Sequence, residues 1–397
     1  MKIEKQNTKI LGLIAIGVIL ILSIQAYKLI PFGTPDGLDF NNVYAYSRCD
    51  KVLNSKFEGN FYLANGTDCG DAMARPFVYP PLLYYSAKWV SVFDTFESAR
   101  IAWRIFIILG TLWAISIWLG SLRRFLISLP FTALLFVQYP MLFALERGNN
   151  DILVLLLWTV AYYLYKKDHL KTSGFFSSAT VLMKIYPLFA LSIITGGLIL
   201  GREFGRLKKY LIGAFIGAVT IFLAFNSLWY SFYLKIKEFA GSRMVLDILN
   251  HSVQYITDVK LINMTIFLLL LFLWVLRFRF DQTRSDLVFA GGLAVCTYYS
   301  ATSFDYNLIT AYPLLIILLA DLIAKFKTRS FILAIGLTIG LCGNRYWFIW
   351  GNDVGYKVRL LIQLVFLMLI AIESFPLFHL KNIVNYQIKR IKLYVTN

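Results

Sequence analysis

Pro31-Phe32-Gly33-Thr34-Pro35-Asp36-Gly37-Leu38-Asp39-Phe40-Asn41 is the stretch where this chain first turns polar. The run before it, Ile10–Ile30, is apolar and long enough to cross a bilayer. The stretch opens a polar loop from Pro31 to Arg75, and beyond that loop the chain rarely leaves apolar sequence. An acidic residue a few positions past a membrane exit, as Asp39 is, lies at the lipid–water boundary. There it stays ionised and still reaches a group carried by a lipid.

Composition agrees with a chain that lives in lipid. Of 397 residues, 58% are hydrophobic, 17% aromatic and 15% charged, with a mean hydropathy of +0.65. Soluble domains carry about 25% charged residues, so an all-α polytopic membrane protein is expected. The net charge of +17 does not mark a nucleic-acid partner. Its lysines and arginines stand in short clusters between apolar runs, which is a topology signal, and their sign suits the lipid bilayer and phosphate-bearing lipids. Lys2, Lys5 and Lys9 precede the first run and no small-x-small cleavage site follows it, so the run reads as a retained anchor.

The basic clusters set the expected topology. They are Arg123-Arg124, Lys166-Lys167-Lys171, Arg202-Arg206-Lys208-Lys209, Arg277-Arg279-Arg284, Lys325-Lys327-Arg329 and Lys389-Arg390-Lys392. Placing each in the cytoplasm gives twelve crossings, at 10–30, 98–120, 125–145, 151–165, 173–184, 186–200, 210–229, 261–277, 285–301, 307–324, 330–347 and 357–377, with both termini cytoplasmic. The run Phe77–Phe93 is broken by Pro80-Pro81 and reads as an interfacial or re-entrant segment. Between 173 and 200 two short helices are expected to meet at Lys184-Ile185-Tyr186-Pro187, inside a protein-lined cavity. Val43, Tyr46, Val52, Leu53 and Phe57 alternate with charges, which predicts an amphipathic helix lying flat on the outer surface.

Nearly all the unusual polar residues fall on the outer side of this topology. Asp36 belongs to a Gly-x-x-Asp-Gly turn; Asp39, beyond it, reads either as a helix N-cap or as a carboxylate able to take a proton from a sugar hydroxyl. Leu145-Glu146-Arg147-Gly148-Asn149-Asn150-Asp151 joins two apolar runs. Arg147 is a donor fork suited to phosphate oxygens, while Asp151 reads as the cap of the following helix. Lys184, flanked by Met183 and Ile185, either snorkels to the interface or contacts a phosphate. Asn250-His251-Ser252 with Gln254, Ser303-Phe304-Asp305-Tyr306-Asn307 and Asn344-Arg345-Tyr346-Trp347 are polar and aromatic at outer helix ends. Their rings fit an aromatic belt or stacking on a sugar; the belt leaves Asp305 and Arg345 unexplained.

Of four cysteines, Cys296 and Cys342 read as buried fillers, and Cys49 and Cys69 share the first loop, where spacing leaves a disulfide open. Neither a zinc spacing nor a Walker A or Rossmann motif occurs, so no cofactor and no metal are expected. A sugar donor would then be lipid-borne rather than nucleotide-bound.

Taken together, these stretches resemble glycosyltransferase family 87, the polyprenol-phosphate-mannose-dependent mannosyltransferases of the GT-C superfamily. The residues that carry the resemblance are Leu38-Asp39-Phe40 with Tyr44, Tyr79-Pro80-Pro81, Arg147-Gly148-Asn149-Asn150-Asp151, Lys184-Ile185-Tyr186-Pro187, Asn250-His251-Ser252 and Ser300–Asn307. The resemblance implies a GT-C-type fold of about 12 transmembrane helices with a long first extracytoplasmic loop, in one integral-membrane domain over 1–397. Residues 1–230 would form the catalytic module and 231–397 a variable helical module. It implies inverting transfer of a hexose, mannose above all, from a polyprenyl-phosphate carrier to a lipid or glycan acceptor on the outer face of the cell membrane. Asp39 would be the base, Arg147 and Lys184 would bind the donor phosphate, and Asn41, Tyr44, Tyr79, Asn149, Asn150, Tyr186, Asn250, His251, Asp305 and Arg345 would line the substrate site. The family often has Asn-Gln-Ser where this chain has Asn250-His251-Ser252, and Ser-Trp-x-His near Ser303-Phe304-Asp305-Tyr306. A lipid-linked glycan polymerase or ligase would share the carrier and the outer site. A secondary transporter would instead show repeat symmetry between halves, which this chain lacks.

Overall fold

The computed structural model describes residues 38–70, 77–241, 259–299, 305–325, 328–342 and 352–373, together with 17, 256 and 257. Among the described residues every regular element is helical. The first expected crossing (10–30), the Asp36 turn, Asn250-His251-Ser252, Gln254, Ser303, Phe304, Asn344-Arg345-Tyr346-Trp347, the last basic cluster and both termini lie outside the described residues.

The first loop folds into the protein. It forms α1 (Leu38–Ser47) and α2 (Asp50–Phe57), a 3-10 turn at Gly66–Cys69, and α3 (Pro81–Ala87) followed by a 3-10 turn at Lys88–Val92. The expected surface helix is corrected on two counts: it is broken in two, and Val43, Tyr46 and Leu53 are buried in the core. Phe40 packs on Phe96 and Trp103, and Tyr46 on Phe77, so aromatic burial outweighs the charges interspersed along the segment. The charges are met by side chains that the fold brings beside them. Lys88 Nζ lies 2.7 Å from Asp50 Oδ2, and Arg48 donates to the hydroxyl of Tyr44 at 2.6 Å. Cys49 and Cys69 form a disulfide that ties the α1–α2 junction to the 3-10 turn.

The rest is a helical bundle. α4 (Phe96–Leu119) starts at Thr95, whose hydroxyl accepts from the Ser98 N–H, and stops at Gly120 in the left-handed region. α5 (Leu122–Phe136) and α6 (Tyr139–Arg147) meet at an angle of 53°, just before Pro140. Then come α7 (Asp151–Lys166), α8 (Leu170–Met183), α9 (Leu188–Leu200), α10 (Phe204–Ala224), α11 (Asn226–Gly241), α12 (Lys260–Phe280), α13 (Ser285–Cys296), α14 (Tyr312–Lys325), α15 (Thr328–Cys342) and α16 (Asn352–Ile372).

Three of the described helices, Phe96–Leu119, Phe204–Ala224 and Lys260–Phe280, are long and apolar enough to cross a membrane, and the bent α5–α6 pair would make a fourth. Of the twelve expected crossings, 10–30 lies outside the described residues and 125–145 is the bent pair. Several of the others fall on apolar helices shorter than the ~20 residues of a full span, so three or four of the twelve have the length of a crossing among the described residues. The two flanking Lys184 have 14 and 13 residues.

Two contacts hold the bundle in register. α8 and α10 touch backbone to backbone: a Cβ added at Gly213 would lie 1.7 Å from the carbonyl oxygen of Lys171, and one at Gly174 2.0 Å from that of Tyr210. At the end marked by the basic clusters, Arg124 and Arg284 both bind Asp321, at 3.1 and 2.7 Å, joining α5 and the start of α13 to α14.

Candidate active site

Three chain turns meet at one place. The first is the start of α1, which carries Asp39. The second is the α6–α7 turn with Arg147 to Asp151, and the third is the α8–α9 turn with Lys184 and Tyr186.

Gly148 sets the approach of the first two. Its φ is +67°, a left-handed C-cap that ends α6, and a Cβ there would stand 2.4 Å from the Cβ of Phe40. A hydrogen at this position lets the residue after Asp39 pack directly against the residue after Arg147. α4 fixes the other side of the same turn. Trp103 donates its indole N–H to the Gly148 carbonyl at 3.2 Å, and Arg104 donates to the Leu145 carbonyl at 3.0 Å. The carbonyls of Leu145 and Gly148, on either side of Arg147, are thus both tied to α4.

Arg147 then meets Asp39 in a fork. Nε lies 3.3 Å from Oδ2 and Nη2 3.4 Å from Oδ1. Both side chains keep an exposed edge, 14% for Arg147 and 11% for Asp39.

A second ion pair stands beside the first. Lys184 Nζ is 2.7 Å from Asp151 Oδ1. The hydroxyl of Tyr186 donates to the same oxygen at 2.9 Å, and the Asn307 amide donates to Oδ2. Asp151 has no exposed surface. The expectation that it caps α7 is corrected: Asn149 Oδ1 accepts the Asp151 N–H at 2.9 Å, and the Asp151 carboxylate faces the α8–α9 turn.

Tyr79 lies between the pairs. The Lys184 ammonium stands 5.7 Å from its ring centroid, a cation–π contact. Burial, then the charges of Asp39 and Asp151, push the Tyr79 phenol far above its ordinary range, against the pull of Arg147 and of Asn150 beside it. The phenol is therefore neutral at physiological pH, a donor and not a base. Asn150 is 1% exposed, and neither atom of its amide reaches normal hydrogen-bond distance of a described partner.

The structure thus brings Asp39, Arg147, Tyr79, Asn149, Asn150, Lys184 and Tyr186 together. Tyr44 points elsewhere, its hydroxyl joining Arg48 and the Asp94 carbonyl. Asn41, two residues beyond Asp39 on α1, is partly exposed. Asp305 begins a 3-10 turn at Asp305–Ala311, but its side chain, with Asn250, His251 and Arg345, lies outside the described residues. Asp151 and Asn307 were not among the expected site residues. The available signal was a carboxylate that follows two asparagines in a six-residue polar stretch, Glu146 to Asp151, where one cap would suffice. Among the described residues no cluster of three or more metal-ligating side chains occurs.

A helical bundle in which three described helices are long and apolar enough to cross a bilayer points to a membrane protein. The model of glycosyltransferase family 87 matches residues 77–299, more than half of the chain, and the chain belongs to that family. The match contains Tyr79, Arg147, Asn149, Asn150, Asp151, Lys184 and Tyr186, and it starts after Asp39. No curated protein and no solved structure gives a significant match.

Proposed function

We propose that this glycosyltransferase moves a hexose, mannose first among candidates, from a polyprenyl-phosphate carrier to a lipid or glycan acceptor at the extracytoplasmic face of the cell membrane. The observation that carries the reading is the meeting of Asp39, Arg147 and Lys184 around Tyr79. A carboxylate beside two cations is what an inverting transfer with a phosphate leaving group requires.

In this scheme the donor phosphate takes the Arg147 fork from Asp39, because a phosphate oxygen pair offers the guanidinium the same bidentate geometry. Asp39 is then left to accept the proton of the acceptor hydroxyl as its oxygen attacks the anomeric carbon. The bond to the phosphate oxygen breaks on the opposite side, and the phosphate departs with the electron pair, its charge met by Arg147 and Lys184. The Asn150 amide and the Tyr79 phenol would bond sugar hydroxyls. In the proposed division, the catalytic module 1–230 supplies these groups, and 231–397 reaches back through Asn307 to Asp151. The Cys49–Cys69 disulfide supports the outer face, since such bonds persist in oxidising compartments.

The test is a panel of polyprenyl-phosphate sugars given to the purified protein, with release of polyprenyl phosphate followed. Polyprenyl-phosphate mannose should be turned over. Asp39→Asn should abolish turnover while the fold and donor binding persist; full activity in that variant refutes the base assignment. Turnover of a nucleotide sugar instead would refute the lipid carrier.

A further inference from the structure

The scheme above leaves one ionised group without a task. Asp151 is fully buried, and its oxygens are occupied by Lys184, Tyr186 and Asn307. A carboxylate so enclosed is unsuited to collect a proton from a substrate. It is also placed against the binding of a phosphate, since its negative charge opposes the attraction that Lys184 exerts. Affinity does not explain it.

Position does. Lys184 follows α8 in an extended conformation, φ −151° and ψ 138°, and a free lysine stem samples many rotamers. Among the described residues its ammonium meets Asp151 and the face of Tyr79, and nothing else. An ammonium has three protons, so one bond to Asp151 leaves two for a ligand. Asp151 in turn is held by groups from two further elements, the α8–α9 turn and the 3-10 turn that carries Asn307. We propose that Asp151 is a positioning residue: it sets where the Lys184 ammonium stands and so aligns that charge with the departing phosphate. The inference rests on Lys184 contacting the phosphate, as the proposed function has it.

Placement and attraction have opposite signatures. Loss of Asp151 should leave the affinity for polyprenyl phosphate unchanged or tighter, because a negative charge is removed, while turnover falls. A merely structural role would lower both together. The experiment uses the full-length protein in proteoliposomes, with polyprenyl-phosphate mannose for turnover and sugar-free polyprenyl phosphate for binding. Asp151→Asn should lower kcat by about tenfold or more without weakening polyprenyl phosphate. Lys184→Met should lower both. Combining the two should cost no more in kcat than Lys184→Met alone, since Asp151 acts through Lys184.

Should Asp151→Asn fail to fold, Tyr186→Phe keeps the ring and removes one bond to Asp151. It should slow turnover about threefold to tenfold, and that loss should vanish in the Lys184→Met background. Losses that multiply in the double variant would overturn the inference, as would phosphate affinity falling in step with kcat for Asp151→Asn. If Lys184→Met alone is indistinguishable from wild type in binding and turnover, the phosphate contact itself fails, and the proposed function is what gives way.

Discussion

At the scale of single residues, the site is two ion pairs that share an aromatic wall. Arg147 is the least replaceable part. Lysine restores the charge but not the fork, so Arg147→Lys should lower kcat/KM for the lipid donor by about tenfold to a hundredfold, read from initial rates. Tyr79 separates two effects. Tyr79→Phe keeps the ring under Lys184, and Tyr79→Leu removes it. A cation–π contact of this kind contributes about 0.5–2 kcal/mol, so the leucine variant should bind polyprenyl phosphate more weakly than the phenylalanine variant by a few-fold to about thirtyfold in titrations. Equal affinities would remove the ring from the account. Asp39, Arg147 and Lys184 were candidates because each is charged at the edge of an apolar run, with a cap for Asp39 and snorkelling for Lys184 as the competing readings. That the three stand around Tyr79 is visible only in the fold. Asp151 was not a candidate, because an acid just ahead of a helix reads as its cap, and only the fold shows Asn149 doing that work.

At the scale of elements, most apolar runs among the described residues became helices, since an apolar run has few other ways to satisfy its backbone in lipid. The run 125–145, however, is broken in two, and the helix Asn226–Gly241 extends into what read as an outer loop. The first loop was misjudged. Its charges suggested a helix lying on the surface, yet Phe40, Val43 and Tyr46 bury it, and its ion pairs form with partners distant in the chain. Such partners have no sequence signal. Two predictions belong here. Gly148→Ala adds a methyl group where Phe40 already sits, on a residue with positive φ; it should destabilise the fold by about 1–3 kcal/mol. Because it parts α1 from α6, transfer should fall more steeply than the melting temperature. Removing the disulfide with Cys49→Ser and Cys69→Ser releases a 20-residue separation. The loss should be about 3 kcal/mol, seen as a lower melting temperature that reductant reproduces in the wild type.

At the scale of the whole molecule, the alternation of basic clusters and polar turns gives a sidedness that can be tested directly. After reduction, Cys69, which is partly exposed, should react with a membrane-impermeant maleimide in intact cells. A cysteine placed at Arg123, which is exposed, should react only when the cytoplasmic side is opened. The reverse pattern would turn the proposed site to face the cytosol. The α8–α10 seam also bears on how the proposed polyprenyl donor would get in. Where Gly174 and Gly213 press α8 on α10, the seam has no width to spare, not even for a methyl group. For the proposed polyprenyl donor, a greasy tail bound for Lys184 would then enter along another flank of α8, with the close-packed pair as the fixed jamb of that doorway.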